Sequence, residues 1–431
     1  MKYQIKCLEC GSTFSEDEYV IKCPNGCNSL LRAEYEKKQI TKRNLPGIWK
    51  YIDWLPVKNV DKRLLVDAGS TTYKSEKLAE KLKLNNLIIS YNGFWPEKNA
   101  QQITCSFKDL EAQAVLQRIT ETDANGKTLV VATDGNTGKA FIHFSKLLGY
   151  PLLVMAKETR RKQKLWTIDP SEGNVKVISL DKGNDYYDVI CLSEKISNQE
   201  GYIAEGGTRN IARRDGMSTV MLDGAHFLGK LPDFYFQALG SGPGAIASYE
   251  ASLRLLGDGR FGDKLPKIHG CQNYPFVPMY DAWQRKLRNV DSKFQDASAK
   301  KLIDQVLCTA LANRHPAYSI KGGIYDVLTH TNGGFHSVTN DEIINACELF
   351  EKTEGIDIEE PAGVALGGLI QAVKQGVVKK DDCVLLNISG AGFKRLKNTK
   401  KIHEMPSSYV VKDPEEESEK VLNLVKGWFK K

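Results

Sequence analysis

Short apolar runs alternate with amphipathic stretches along most of this chain, and nothing else in it limits the fold as much. The runs LIIS (87–90), LVVAT (129–133), PLLVMA (151–156), VKVISL (175–180), LPDFYFQAL (231–239), LPKIHGCQ (265–272) and CVLLNIS (383–389) carry few charges and read as strands buried on both faces. Helical patterns fill 108–122, 138–148, 184–198 and 244–257 between them. Strand-helix alternation predicts an α/β protein with largely parallel sheets. Strand-to-helix turns and strand ends follow these runs, and some of them carry glycines and polar side chains together.

Three of those segments are unusual. In VVATDGNTGKA (130–140), Gly135, Thr137 and Gly138 lie at a strand-to-helix turn whose free N–H groups suit a carboxylate, and Asn136 offers its amide to a ring hydroxyl. Thr133 and Asp134 belong to the same turn. In QALGSGPGAIA (237–247), Gly240, Ser241, Gly242 and Gly244 precede a helix and form a cradle for phosphate, with Pro243 lacking an N–H. The Walker lysine and the dinucleotide-binding glycine spacing are both missing there. In VLLNISGAGFKRL (384–396), Ser389 is placed to hydrogen-bond a pyridine nitrogen. Ahead of all three stands Lys108, in ITCSFKDLEA, at the start of a helix that should pack inside. Burial there would lower its amine pKa and suit it to a covalent bond with an aldehyde. Each motif alone has a bland reading as a turn or a solvated charge. Together, in this order, they describe a pocket for pyridoxal phosphate with Lys108 as the catalytic residue. A neutral hydroxyl at the ring nitrogen favours elimination and replacement at a β-carbon over transamination.

Four of the ten cysteines crowd into the first 27 residues. Cys7-x2-Cys10 and Cys23-x3-Cys27 have the pairing of a tetrahedral structural zinc site, which would replace the core that residues 1–36 cannot build. Four unbound surface thiols are the alternative. The remaining cysteines are scattered in apolar surroundings and read as reduced, buried thiols. A net charge of +7 over 431 residues gives no case for nucleic acid. No stretch is long and apolar enough to span a bilayer, and MKYQIKCLEC lacks the apolar run of a secretion signal, so the expected location is the cytoplasm. The tail 413–431 has acids early and lysines late, as one helix would.

At SFKDL, DGNTG and SGAGFK the chain resembles the pyridoxal-phosphate enzymes of fold type II, the threonine synthase and cysteine synthase group. The cysteine module resembles the zinc-ribbon-like start of some threonine synthases. The resemblance is closer to one branch, the archaeal-type cysteate synthases, through CLECG, LLRAEYEKK (30–38), WPEKNA (95–100), EGGTRNIARRDGMSTVMLDGA (205–225), ASLRLLGDGRFGDKLPK (251–267) and LLNISGAGFKRLK (385–397). It implies two open, mostly parallel twisted sheets flanked by helices. A zinc-ribbon-like module would occupy 1–36, a large cofactor-binding domain 37–115 and 230–410, a small domain 116–229, and a C-terminal helix 411–431. It also implies a homo-oligomer, dimer or trimer, that converts O-phospho-L-serine and sulfite to L-cysteate and phosphate. Lys108 would hold the cofactor and later take the α-proton, Asn136 would hold the ring hydroxyl, Gly240 to Gly244 the cofactor phosphate and Ser389 the ring nitrogen.

Two anionic substrates need cations. Arg209, Arg213 and Arg214 have the planar fork for oxyanions, against the alternative of a solvated basic helix face; Lys74, Arg160 and Arg161 are further candidates. The chain departs from related loops at Asp134, where a small residue is usual and a carboxylate would repel an anionic substrate unless paired, and at Pro243 and Ala245. Threonine synthase activity on O-phosphohomoserine, replacement by sulfide or an amine, and an inactive zinc-ribbon binding protein are the rival readings.

Overall fold

The computed structural model describes residues 1–429 except Glu172, Lys182 and Ala297. Two sheets organise it. The larger has six strands in the order Gly334–Val338, Lys267–Asn273, Phe234–Ala238, Cys383–Ile388, Asn86–Tyr91, Thr71–Lys74. All neighbours are parallel except the last pair. The smaller has five parallel strands in the order Tyr202–Ala204, Thr128–Thr133, Leu152–Lys157, Val175–Leu180, Tyr409–Val411. Every apolar run singled out in the sequence forms a strand of one sheet or the other.

Period-two alternation sorts side chains between the faces of the larger sheet. Leu87, Ile89, Phe236 and Leu386 pack with Ala362, Leu366 and Leu369 of the helix Glu360–Lys374. Ile88, Tyr235 and Leu385 point the other way, into a core shared with the helices Lys108–Thr120, Ile211–Leu228 and Pro243–Asp258. The smaller sheet is likewise covered twice. Val130, Leu153, Met155 and Ile178 meet the helix Tyr186–Ser197, while Leu129, Val131 and Val154 meet the helix Asn136–Leu148.

Three details differ from expectation. The tail is not one helix over 413–431. Tyr409–Val411 joins the small sheet as an edge strand, and the helix spans only Ser418–Val425, seated through Val421 and Val425 on that sheet's apolar cluster; Lys430 and Lys431 lie outside the described residues. The helix Lys108–Thr120 runs through the expected boundary at 115. Ile211–Leu228, expected in the small domain, lies against the large sheet so closely that a Cβ on Gly224 would stand 2.5 Å from Leu385.

Residues 1–36 form a three-stranded antiparallel sheet, Thr13–Phe14, Tyr3–Cys7 and Leu31–Tyr35. It is not a free appendage. Tyr3, Ile5, Leu31 and Tyr35 belong to the same apolar cluster as Leu110 and Met221. Among the described residues no helix is long and apolar enough to cross a membrane.

Candidate active site

A cavity of about 840 Å³ opens where strands of both sheets end, within the range that holds a cofactor and small substrates. Lys108, Thr133 to Thr137, Arg209, Arg213, Gly240 to Gly244 and Ser389 all line it. The sequence motifs, spread over 280 positions, are thus brought to one place.

Lys108 is the first residue of its helix and its side chain is 18% exposed, toward the cavity. A short bridge ties this helix start to the end of the strand Cys383–Ile388. Ser106 pairs with Gly390, and the N–H of Phe107 donates to the carbonyl of Ser389 at 2.9 Å. Lys108 and Ser389 are therefore neighbours by backbone pairing. Gly390 must be glycine for this approach, since a Cβ there would lie 2.0 Å from Glu359 Oε1 and 2.5 Å from the carbonyl of Cys105. Burial lowers the Lys108 amine pKa, Glu111 opposes the shift, and Arg213 adds to it.

Beneath the lysine lies a buried charge relay. Lys108 Nζ is 3.6 Å from Glu111 Oε2, which also accepts from Arg213 Nη1 at 2.8 Å. Arg213 in turn donates Nε and Nη2 to the two oxygens of Glu205 at 2.8 and 2.5 Å. Glu111 Oε1 is buried without a partner. Arg213 is thus committed to two carboxylates and supports the cavity floor; its fork is not free for an oxyanion. Arg214 is a clearer correction. It is fully buried, bonds Glu250, the carbonyl of Thr208 and the carbonyl of Leu31, and does not line the cavity. Lys74 is exposed on an edge strand, and Arg161 is held by Glu158, Glu404 and the carbonyl of Met405. Arg209 alone of the three arginines in its motif has no carboxylate partner among the described residues. Its guanidinium is bonded to the carbonyl of Ser29 and to Asn28 Oδ1, both at 3.2 Å.

The turn 133–138 is more specialised than its sequence implied. Thr133 Oγ1 accepts the N–H groups of both Gly135 and Gly138 at 2.9 Å, so these three residues hold the turn's shape. Among the described residues the N–H groups of Asn136 and Thr137, at the start of the helix, have no protein acceptor. Asp134 is paired: its Oδ2 lies 3.1 Å from Arg160 Nε and accepts the Thr309 hydroxyl at 2.9 Å. The repulsion expected of this carboxylate is answered by that arginine.

Across the cavity, Gly242 at φ +87° caps the helix Pro243–Asp258. Gly240, Ser241 and Gly242 donate their N–H groups to no protein acceptor among the described residues. Pro243 occupies the first helical position, where a missing N–H loses nothing, so its presence is compatible with an anion cradle. Gln237, whose Oε1 accepts the Tyr235 hydroxyl at 2.5 Å, packs beneath the loop. Asn136 donates Nδ2 to both oxygens of Glu359 at 2.9 Å, while its buried Oδ1 has no partner.

These features fit pyridoxal phosphate. A poised amine, a cradle of free N–H groups, an unsatisfied amide oxygen and a hydroxyl at a strand end face one cavity. Glu111, Glu205, Gln237, Glu359 and Asn313, whose Nδ2 donates to Ser241 Oγ at 2.5 Å, support the site and were not singled out from sequence. Only Glu111 carried a local signal, lying one helical turn from Lys108.

The four N-terminal cysteines also converge. Their Sγ atoms all lie within 4.8 Å of one another, with Cys10 and Cys23 at 3.7 Å. Tetrahedral zinc with Zn–S bonds of about 2.3 Å needs ligand–ligand edges of about 3.8 Å. The all-thiolate donor set fits a closed structural site.

Comparison with known proteins agrees with this geometry. Residues 74–390 match the family model described as pyridoxal-phosphate dependent enzyme. Cysteate synthase from Methanosarcina barkeri is 46% identical over 413 residues, covering 96% of this chain and 97% of the relative. The cysteate synthase of Methanosarcina acetivorans is 47% identical over 414 residues, 96% of this chain and 98% of its own length. Among solved structures, a pyridoxal 5'-phosphate-dependent aspartate racemase superposes with a TM-score of 0.59 at 15% identity, over 77% of this chain and 93% of that one. Maize serine racemase does so with a TM-score of 0.57 at 10% identity, over 77% and 92%. These two show the shared fold. By motif order, cavity chemistry and near full-length similarity, the chain belongs to the family of pyridoxal-phosphate dependent enzymes, in the group that includes the cysteate synthases.

Proposed function

We propose that this chain replaces the phosphate of O-phospho-L-serine with sulfite, giving L-cysteate and phosphate. The observation that carries the reading is one cavity uniting Lys108, the glycine cradle, Ser389 and an arginine, Arg209, that has no ion-pair partner among the described residues. The name of the near full-length relatives, cysteate synthase, supports the product. Pyridoxal phosphate, when bound, supplies an electron sink that acidifies the α-hydrogen of an amino acid.

The chain's own residues do the rest. Lys108 would hold the cofactor until substrate takes its place, and its amine, then freed and with its pKa lowered by burial, takes the α-proton. Glu111 beside it stabilises the resulting ammonium. The free N–H groups of Gly240, Ser241 and Gly242 hold the cofactor phosphate. Those of Asn136 and Thr137 would receive the substrate carboxylate, and the Asn136 amide would hold the ring hydroxyl. Ser389 offers the ring nitrogen a neutral hydroxyl and no full proton, which favours chemistry at the β-carbon. The C–O bond to phosphate breaks, a C–S bond to sulfite forms, and the proton on Lys108 returns to the α-carbon. Arg209 meets the incoming or departing oxyanion.

The test is phosphate release from O-phospho-L-serine by the cofactor-loaded protein, with and without sulfite, and Lys108→Ala as blank. Sulfite-dependent release with matching L-cysteate is the expected result. Release that ignores sulfite, or none, overturns the substrate pair.

A further inference from the structure

The cysteine cluster is not remote from the chemistry. Tyr19, Val20, Ile21 and Lys22, the residues running into Cys23, line the same cavity as Lys108. Three contacts press this segment against the floor. The Tyr19 hydroxyl lies 3.2 Å from the carbonyl of Ala204 and accepts from Asn210 Nδ2 at 3.0 Å. Ile21 packs on Gly206 so closely that a Cβ there would be 3.0 Å from Ile21 Cγ2. On the far side of the cluster, directly after Cys27, Asn28 and Ser29 hold the guanidinium of Arg209. Arg209 is half-buried, and Lys22, exposed and lining the cavity, has no carboxylate partner among the described residues. Glu194, which also lines the cavity, is the carboxylate whose field reaches Arg209.

Thus the two cavity cations without an ion-pair partner among the described residues, Arg209 and Lys22, are both placed by the chain between Tyr19 and Ser29, and Cys23 and Cys27 pin that chain from within. A segment so short and so polar, with no helix or strand of its own, keeps one conformation only if something clamps it. We propose that the metal-bound cysteine module is part of the substrate site: it forms the outer wall of the cavity and holds Arg209 and Lys22 as an oxyanion subsite, so that metal loading sets anion affinity. This rests on reading the cavity as a site for anionic substrates and goes beyond it by assigning the metal a role in binding.

The experiment measures inorganic phosphate binding to the cofactor-loaded protein through the cofactor's absorbance, which needs no turnover, alongside metal content. Asn28→Ala removes one anchor of Arg209 and no thiol. Lys22→Gln removes the second charge. Each is expected to weaken phosphate binding about threefold or more with metal content unchanged. Cys10→Ser is expected to lose metal and to weaken phosphate binding by at least as much, with added zinc failing to restore it. Where Cys10→Ser does not fold by circular dichroism, the first two variants decide. Unchanged phosphate affinity in both of them, or a folded, metal-free Cys10→Ser with the affinity of the parent, overturns the proposal. In turnover, a rise in KM for sulfite alone assigns the subsite to the nucleophile, and a rise for O-phospho-L-serine alone assigns it to the leaving phosphate. Absent turnover with intact phosphate effects sinks the substrate pair and leaves the subsite standing.

Discussion

Arg213 and Arg214 are adjacent on the helix Ile211–Leu228, both buried, and they belong to two separate charge networks. One residue along a helix is a turn of about 100°. That rotation sends Arg213 toward the cavity, where it joins Glu205 and Glu111 and, through Glu111, the Lys108 amine. It sends Arg214 toward the cysteine module and the helix Pro243–Asp258, where Glu250 is shared with Arg32 and where Asp215 beside it joins Arg254 and the Tyr35 hydroxyl. The first network ends in a group that titrates and faces substrate. The second closes on itself between three elements. Both are dear to break, because a removed partner strands a buried charge, yet only the first should alter chemistry.

The sharpest break is at the end of the cavity-side network. Lys108→Ala removes both the covalent anchor and the base. Turnover should fall by at least about a thousandfold, while far-ultraviolet circular dichroism stays that of the parent. A variant retaining a tenth of the activity would remove Lys108 from the mechanism. Next in size is Arg214→Leu. It leaves Glu250 buried against Arg32 and Arg254 only, and should cost about 3–5 kcal/mol of stability, read as a lowered urea midpoint. Its KM values should stay near the parent's, since Arg214 does not itself line the cavity and reaches it only through the carbonyl of Thr208. The same network has a pH signature. Burial pushes the Glu250 carboxyl up, but Arg214, Arg32 and Arg254 outweigh it and hold its pKa below the usual value. Its stabilisation is therefore complete above the unfolded carboxyl's pKa and lost as pH falls through the lower, folded one. Arg214→Leu should flatten that acid limb.

Glu111→Gln acts on rate as well as on stability, Arg213 keeping only Glu205 as its carboxylate. Glu111 is the carboxylate that raises the Lys108 pKa against burial and against Arg213. Without its charge the pKa falls further, and the free amine persists to lower pH. The acidic limb of the kcat profile should therefore move to lower pH, in a titration of rate between pH 5 and 9. A limb moving upward would show that Glu111 does not act on the lysine.

How much of this was written in the chain depends on how local each cause is. The central strands were legible because burial on both faces demands unbroken apolar runs. The edge strands Thr71–Lys74, Gly334–Val338 and Tyr409–Val411 were not, since half-buried edges tolerate Thr, His, Ser and Lys and leave no run. The motifs were legible because they sit at strand ends, where backbone N–H groups must be free. Arg214 was misread for a physical reason. EGGTRNIARRDG looks like a basic surface, but every residue of Ile211–Ala225 is buried, so the helix has no solvent face on which its charges can lie. Their neutralisation comes from Glu111 and Glu250, far away in sequence. The thiol spacing foretold the cluster, whereas the cavity wall made by Tyr19 to Lys22 follows only from where the module docks.

Asp134 gives the smallest and most discriminating change, because it sits on the cavity side yet behaves like the structural network. Its carboxylate is nine-tenths buried or more, accepts the Thr309 hydroxyl and faces Arg160; burial raises its pKa while Arg160 opposes the rise. Asp134→Asn keeps the shape and the Thr309 hydrogen bond and deletes one negative charge. Arg160 is then uncompensated at the rim of the substrate turn, so KM for an anionic substrate should fall by about two- to threefold with kcat nearly constant. The gain should shrink as salt is added, because it is a charge effect near solvent. A rise in KM would mean that the carboxylate itself receives the substrate, through its ammonium group, and would move Asp134 from the supporting pair into the binding site.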